Sequence, residues 1–215
     1  MDIQKDEDVR LLLEFNKQKK MKTLYCFDFD GTITKRDTMF MFLKFYSPSK
    51  FYLQFILYIP FFVLIKLKIT DAERIKKRFI TSIIGRESKD KIEKQSYLFF
   101  QEKFSLIIRQ GALSFIQDID RRYADCFIVT SSLDFWVKPF SDYLNMKLIA
   151  TETKFENNMF SGDFKTKNCS GQEKVDRIKL AIEGKEYNKI VAYGNSSGDK
   201  DMLEWADKSY YRYFH

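Results

Sequence analysis

The segment CFDFDGTIT, residues 26–34, closes an apolar run with two aspartates one residue apart, a glycine and two threonines. Residues 23–29, TLYCFDF, have the length and apolar character of a short buried strand. Carboxylates at a strand end are often no more than a solvated turn or a helix cap. The rest of the chain tells whether these two have company.

Two further segments share the layout of an apolar run that ends in polar groups. DCFIVTSS, 125–132, ends in Ser131 and Ser132, and KIVAYGN, 189–195, ends in Asn195 with Asp199 close behind. KLIATET, 147–153, and KSYYRYF, 208–214, are two more strand candidates. KFENNMFSGDF, 154–164, reads as a hairpin turning at Asn157 and Asn158. GQEKVDRIKLAIEG, 171–184, reads as a helix with Val175, Ile178 and Ile182 on one face and Gly184 as its stop. Residues 37–120 are mostly helical in pattern. Strands alternating with helices predict an α/β fold whose parallel sheet is covered on both faces. Ligands bind such sheets beyond the carboxyl ends of the strands. Asp28 and Asp30, Ser131 and Ser132, and Asn195 with Asp199 are therefore expected at one edge.

Bulk composition narrows the classes. The chain has 215 residues, 45% hydrophobic, with 8 Gly and 3 Pro, which fits a globular core and not a disordered segment. A net charge of +7 suits phosphate-bearing ligands or anionic lipid. No helix-turn-helix, zinc-finger or RNP signature accompanies it, so nucleic acid is not an expected partner. Cys26, Cys126 and Cys169 lack metal-type spacing, and a reduced cytoplasmic setting is the default. His215 is the only histidine, so histidine-based catalysis is not expected. Residues 1–20 lack a signal-peptide core and are expected to form an N-terminal tail.

FDFDGTIT resembles the first motif, DxDGT, of the haloacid dehalogenase (HAD) superfamily of phosphotransferases. The other motifs of that family follow in order: Ser131 in IVTSSLDFW, with Ser132 as a near alternative, Lys174 in GQEKVDRI, and Asn195 with Asp199 in VAYGNSSGDKDML. The layout is similar to the phosphoserine phosphatase-like branch, subfamily IB. The resemblance implies a Rossmann-like core, 21–36 and 119–215, with a helical C1-type cap, 37–118, inserted between the first two motifs. It also implies roles. Asp28 would be the nucleophile that forms an aspartyl-phosphate, and Asp30 the acid/base. Ser131 or Ser132, Lys174, Gly31 and Thr32 would bind the phosphoryl group. Mg²⁺ would be held by Asp28, the main-chain carbonyl of Asp30, Asn195 and Asp199. Many relatives carry Asp at the position of Asn195, so this metal site has one negative charge fewer. The residues themselves leave a phosphotransferase or a non-catalytic ligand-binding protein as rivals.

The cap segment FYLQFILYIPFFVLIKLKI, 51–69, has eleven apolar or Pro residues in succession from Phe55 to Ile65. Pro60 would kink a helix here. Three readings stand: a buried cap helix, an interfacial element or a membrane span. Lys44, Lys50, Lys66 and Lys68 flank it, as they would for docking onto anionic lipid. The layout resembles bacterial phosphatidylglycerophosphatase C, which implies a phosphorylated lipid or amphiphile as substrate and peripheral contact with the inner face of the membrane. A small soluble phosphate, as in phosphoserine phosphatases, is the alternative, and Asp37 sits near where those enzymes place a substrate-contacting acid. Arg74, Arg78, Arg86 and Arg109 could meet a second anionic group, but DAERIKKRFI, 71–80, reads more simply as a solvated basic face.

Overall fold

The computed structural model describes residues 21–215, so the expected tail lies outside the described residues. Strand β1 (Lys22–Phe27) is the centre of a five-stranded parallel sheet. Its neighbours are β2 (Ala124–Leu133) on one side and β6 (Tyr187–Gly194) on the other. The edges are β3 (Lys147–Thr151) and β7 (Lys208–Tyr211), giving the order β3-β2-β1-β6-β7. The chain winds outward from β1 through β2 to β3, then returns to β6 and β7. That reversal puts the crevice between β1 and β6, where parallel sheets take their ligands.

Alternation within β1 divides the core. Leu24 and Cys26 face Phe127, Val129 and Ala192, and this layer is closed by Val175 and Ile178 of α7 (Gln172–Ala181) and Met202 of α8 (Lys200–Trp205). Helix α7 ends three residues before Gly184, which takes a positive φ of 74° in the following turn. Phe27 faces the other way and stacks on Tyr193 at 4.8 Å. That side is covered by α5 (Gln110–Asp118), whose Phe115 lies against Phe27 and Tyr193, and by α6 (Asp134–Tyr143), whose Trp136 and Phe140 are fully buried. All three cysteines are buried thiols.

Between β1 and α5 lie four helices: α1 (Thr38–Tyr46), α2 (Pro48–Lys66), α3 (Ala72–Ile84) and α4 (Lys89–Ile107). Three have side-chain caps that satisfy first-turn amides: Asp37 for α1, Asp71 for α3 and Ser88 for α4. Phe79 of α3 and Phe42 of α1 belong to the same hydrophobic cluster as Phe27, so these helices and the sheet share one core. The two linkers to the inserted helices run side by side: Thr34 bridges Ile108, the Lys35 amide donates to the Ile107 carbonyl, and the Arg109 amide donates to Ile33. The hairpin of β4 (Thr153–Glu156) and β5 (Met159–Phe164) turns at Asn157 and Asn158 with φ of 50° and 61°, the left-handed pair such a turn requires. It reaches α3, where Gly162 at φ 83° lets Thr81 Oγ1 donate to its carbonyl.

Helix α2 corrects one expectation. It is a single helix through Pro60, and Phe51 is its only buried residue. One side packs by Phe51, Tyr58 and Phe62 on Phe79 of α3. The other side leaves Leu53, Ile56, Leu57, Ile59 and Val63 exposed, Ile56 at 64%. Among the described residues nothing buries this side of the helix. The apolar residues outnumber the positions that α1 and α3 can cover.

Candidate active site

Asp28 follows directly on β1, and its amide donates to the Tyr193 carbonyl, tying the loop to β6. Its carboxylate is almost buried, 6% exposed. Oδ1 accepts from Lys174 Nζ at 2.8 Å and Oδ2 from Thr32 Oγ1 at 3.0 Å. Lys174 comes from the first turn of α7 and is 2% exposed. It spends its other donors on the Val129 carbonyl at 2.7 Å and Asp199 Oδ1 at 2.6 Å. One ammonium thus faces two carboxylates inside the fold, leaving the cluster short of positive charge.

Asp30 is held from two directions. Oδ1 accepts from the Thr38 amide at the start of α1 at 2.6 Å, and Oδ2 from Ser132 Oγ at 2.5 Å. Ser132 therefore fixes Asp30. Ser131 lines the cleft, while its carbonyl accepts from Lys76 Nζ and Thr151 Oγ1. Gly31 has φ 78°, and a Cβ there would lie 2.1 Å from Asn195 Nδ2. Only glycine lets the amide side chain of Asn195 lie against this turn. The Gly31 amide donates to Thr34 Oγ1 within the turn.

These environments separate the acids. Burial pushes Asp28 up to about 7, opposed by the Lys174 ammonium and reinforced by Asp199. Burial also raises Asp30, to about 6, with the Asp37 charge adding and the bonds from Ser132 and Thr38 opposing. Burial works against the Lys174 ammonium, yet Asp28 and Asp199 outweigh it and hold its pKa above the usual lysine value. Asp199 goes the other way: burial opposes ionisation, but Lys174 and the amides of Asn195 and Ser196 bring it below the ordinary carboxylate range.

The residues fit a hard divalent cation. Asn195 Oδ1 is buried and has no hydrogen-bond partner among the described residues. With the Asp28 carboxylate and the Asp30 carbonyl it makes an all-oxygen donor set of the kind Mg²⁺ prefers. No cluster of three Cys, His, Asp or Glu suited to a metal occurs among the described residues. Asp199 stands apart from it. Oδ1 accepts from Lys174, and Oδ2 accepts from the Asn195 amide, the Ser196 amide and Ser196 Oγ. Its oxygens are taken up by protein donors, and it orients Lys174.

Two side chains here escaped the sequence. Lys76 of α3 reaches down from the inserted helices, donating to the Ser131 carbonyl at 2.6 Å and Asn168 Oδ1 at 3.1 Å. Burial pulls its pKa down, against the nearby charges of Asp30 and Asp37. The signal was present: Lys76 stands four and seven residues before Ile80 and Ile83, both buried, so it heads the inward stripe of α3. His215 was set aside by its position, yet its Nε2 lies 2.7 Å from the Gly31 carbonyl on the cleft wall. Lys35, Arg36 and Arg109 also line this cleft of about 440 Å³, and Arg109 Nε donates to the Thr34 carbonyl.

Residues 26–204 match the haloacid dehalogenase-like hydrolase family. The chain is 28% identical over 195 residues to Protein CicA of Caulobacter vibrioides, covering 89% of this chain and 86% of the relative. A crystal structure of a protein of unknown function from Bordetella pertussis Tohama I aligns with TM-score 0.77 at 16% identity, over 88% of this chain and 89% of that one. A phosphoserine phosphatase captured as a phospho-aspartyl intermediate analogue aligns with TM-score 0.60 at 19% identity, over 88% and 86%. The chain belongs to the haloacid dehalogenase-like hydrolases, and its fold is that of the phosphoserine phosphatase-like branch. It is a hydrolase built on a phosphatase scaffold.

Proposed function

We propose that this hydrolase is an Mg²⁺-dependent phosphatase that forms an aspartyl-phosphate at Asp28 and acts on a lipid or other amphiphilic phosphate monoester. The observation that carries the chemistry is the Asp28 carboxylate, buried and braced between Lys174 and Thr32 with Asp30 two residues on. A phosphoryl group needs positioning and charge neutralisation more than covalent help. Asp28 attacks phosphorus. Asp30, whose pKa burial raises, gives its proton to the leaving alcohol and later takes one from water. Ser131 holds a phosphoryl oxygen, and Lys174 offsets the charge on Asp28 and phosphate. Asp28, the Asp30 carbonyl and Asn195 would hold Mg²⁺, which supplies Lewis-acid stabilisation of the phosphoryl oxygens.

The amphiphilic substrate rests on α2. That helix is long and apolar enough to cross a membrane by length and composition, yet one side is packed on the neighbouring helices. A helix docked on one side and bare on the other suits the bilayer interface. The protein would work in the cytoplasm against the inner face of the membrane, with residues 51–69 as the peripheral contact. The inserted helices, 37–118 in the division proposed, would form its cap. A small soluble phosphate is the second reading, favoured by Asp37 on the cleft wall.

The test is inorganic phosphate release from a panel of lipid, alkyl and amino-acid phosphates, with Mg²⁺ and with chelator. Asp28→Asn is expected to lower turnover by about 10⁴-fold or more. Wild-type rates in that variant, or in chelator, would refute the mechanism.

A further inference from the structure

A second opening of about 500 Å³ lies beside the catalytic cleft, between α1 and α4. Its walls are Phe40, Met41, Phe45, Phe51, Phe99 and Leu106, almost all apolar. Arg36 lines both openings, and Lys35 of the catalytic cleft donates to the carbonyl of Leu106. The groove thus adjoins the cleft that holds Asp28, with Arg36 as a shared wall. At its far end are Pro48 and Phe51, the first turns of α2. Lys44 and Lys103 stand at its rim, with the Lys103 ammonium 5.8 Å from the Phe45 ring centre.

An aromatic trough wetted by water loses the stabilisation that an apolar occupant restores. The polar side chains here are all cations, with Arg36 on the side of the catalytic cleft and Lys44 near Tyr52 of α2. A ligand that suits both openings carries an anion at one end and a hydrocarbon chain at the other. We propose that this groove binds the aliphatic chain of the phosphate ester whose head is held at Asp28, a proposal that rests on the phosphatase reading above. The groove extends from beside the catalytic cleft to the first turns of α2.

Binding of alkylphosphonates, which cannot be hydrolysed, tests this by titration calorimetry. Chains from ethyl to decyl are used below their micelle concentrations and without vesicles, so that the groove is read apart from membrane docking. Affinity is expected to tighten about two- to fourfold per added methylene until the groove is filled. Met41→Glu and Leu106→Asp, both on exposed or half-buried wall positions, are expected to flatten that dependence. Affinity independent of chain length in the wild type overturns the proposal. So does an unaltered dependence in both variants. Phosphate release from ethyl phosphate is measured in parallel. Its absence counts against the phosphatase reading alone, while the calorimetric series still decides the groove.

Discussion

The catalytic edge and helix α2 invert the usual division between inside and outside. At the edge, Asp28, Lys174 and Asp199 are charged and nearly buried, 6%, 2% and 1% exposed. On α2, large apolar residues face solvent. Each departure is costly unless something compensates it. The buried charges have their compensation inside the chain, because every oxygen of Asp28 and Asp199 has a protein donor. The apolar face has none among the described residues. The buried carboxylates draw their donors from the chain itself, whereas the apolar face is left open to a contact from outside.

Breaking the inner side should have the larger effect. Lys174→Met leaves two carboxylates buried without their cation, and a buried pair broken on one side costs about 3–5 kcal/mol. Denaturant unfolding should show that loss together with near-complete loss of turnover, and an unchanged midpoint would mean the ion cluster is not structural.

Asp199→Asn is the next step down. Its carboxyl is held below the ordinary range in the folded state, so it contributes stability that is present above the unfolded carboxylate pKa. That contribution is lost as pH falls through the folded pKa. The variant should be less stable than wild type near pH 7, and the gap should narrow on acidification below about pH 4. A gap that widens in acid would contradict the pairing with Lys174.

Asn195→Asp sharpens the comparison by adding a charge to the inner cluster. The Mg²⁺ concentration for half-maximal activity should fall several-fold, since the donor set gains a carboxylate. No change would place the metal away from residue 195.

The smallest effect on folding is expected on the outer side. Leu53→Glu with Ile56→Glu alters only exposed positions, so stability should stay within about 0.5 kcal/mol per site. Flotation on anionic vesicles should nevertheless be lost. Persistent flotation would move the membrane contact elsewhere.

The same contrast explains what could be read from the sequence. The strand ends were legible because an apolar run and the polar group that ends it are neighbours in the chain. Asn157 and Asn158 announced their turn for the same local reason. What failed depended on partners far away. Ser131 and Ser132 are adjacent, and only the fold shows that one fixes Asp30 while the other lines the cleft. Asp199 looked like a ligand because its segment is acidic, but Lys174, 25 residues earlier, is what claims it. Lys76 sits among charged neighbours in the sequence, while its spacing to Ile80 and Ile83 points inward. Apolar composition made α2 a candidate for burial, and composition does not say how many of its sides have a neighbour.

The paired linkers at Thr34 and Ile108 bear on how such a chain can be remade. Because the chain leaves and re-enters the core at adjacent points, a graft of a different insert would require little additional loop closure from the backbone. Side chains set the stricter condition. Phe140 of the core meets Phe99, Phe100 and Phe104 of α4. Any replacement insert must bring rings of its own to that spot, or the transplanted core will expose the surface on which it was folded.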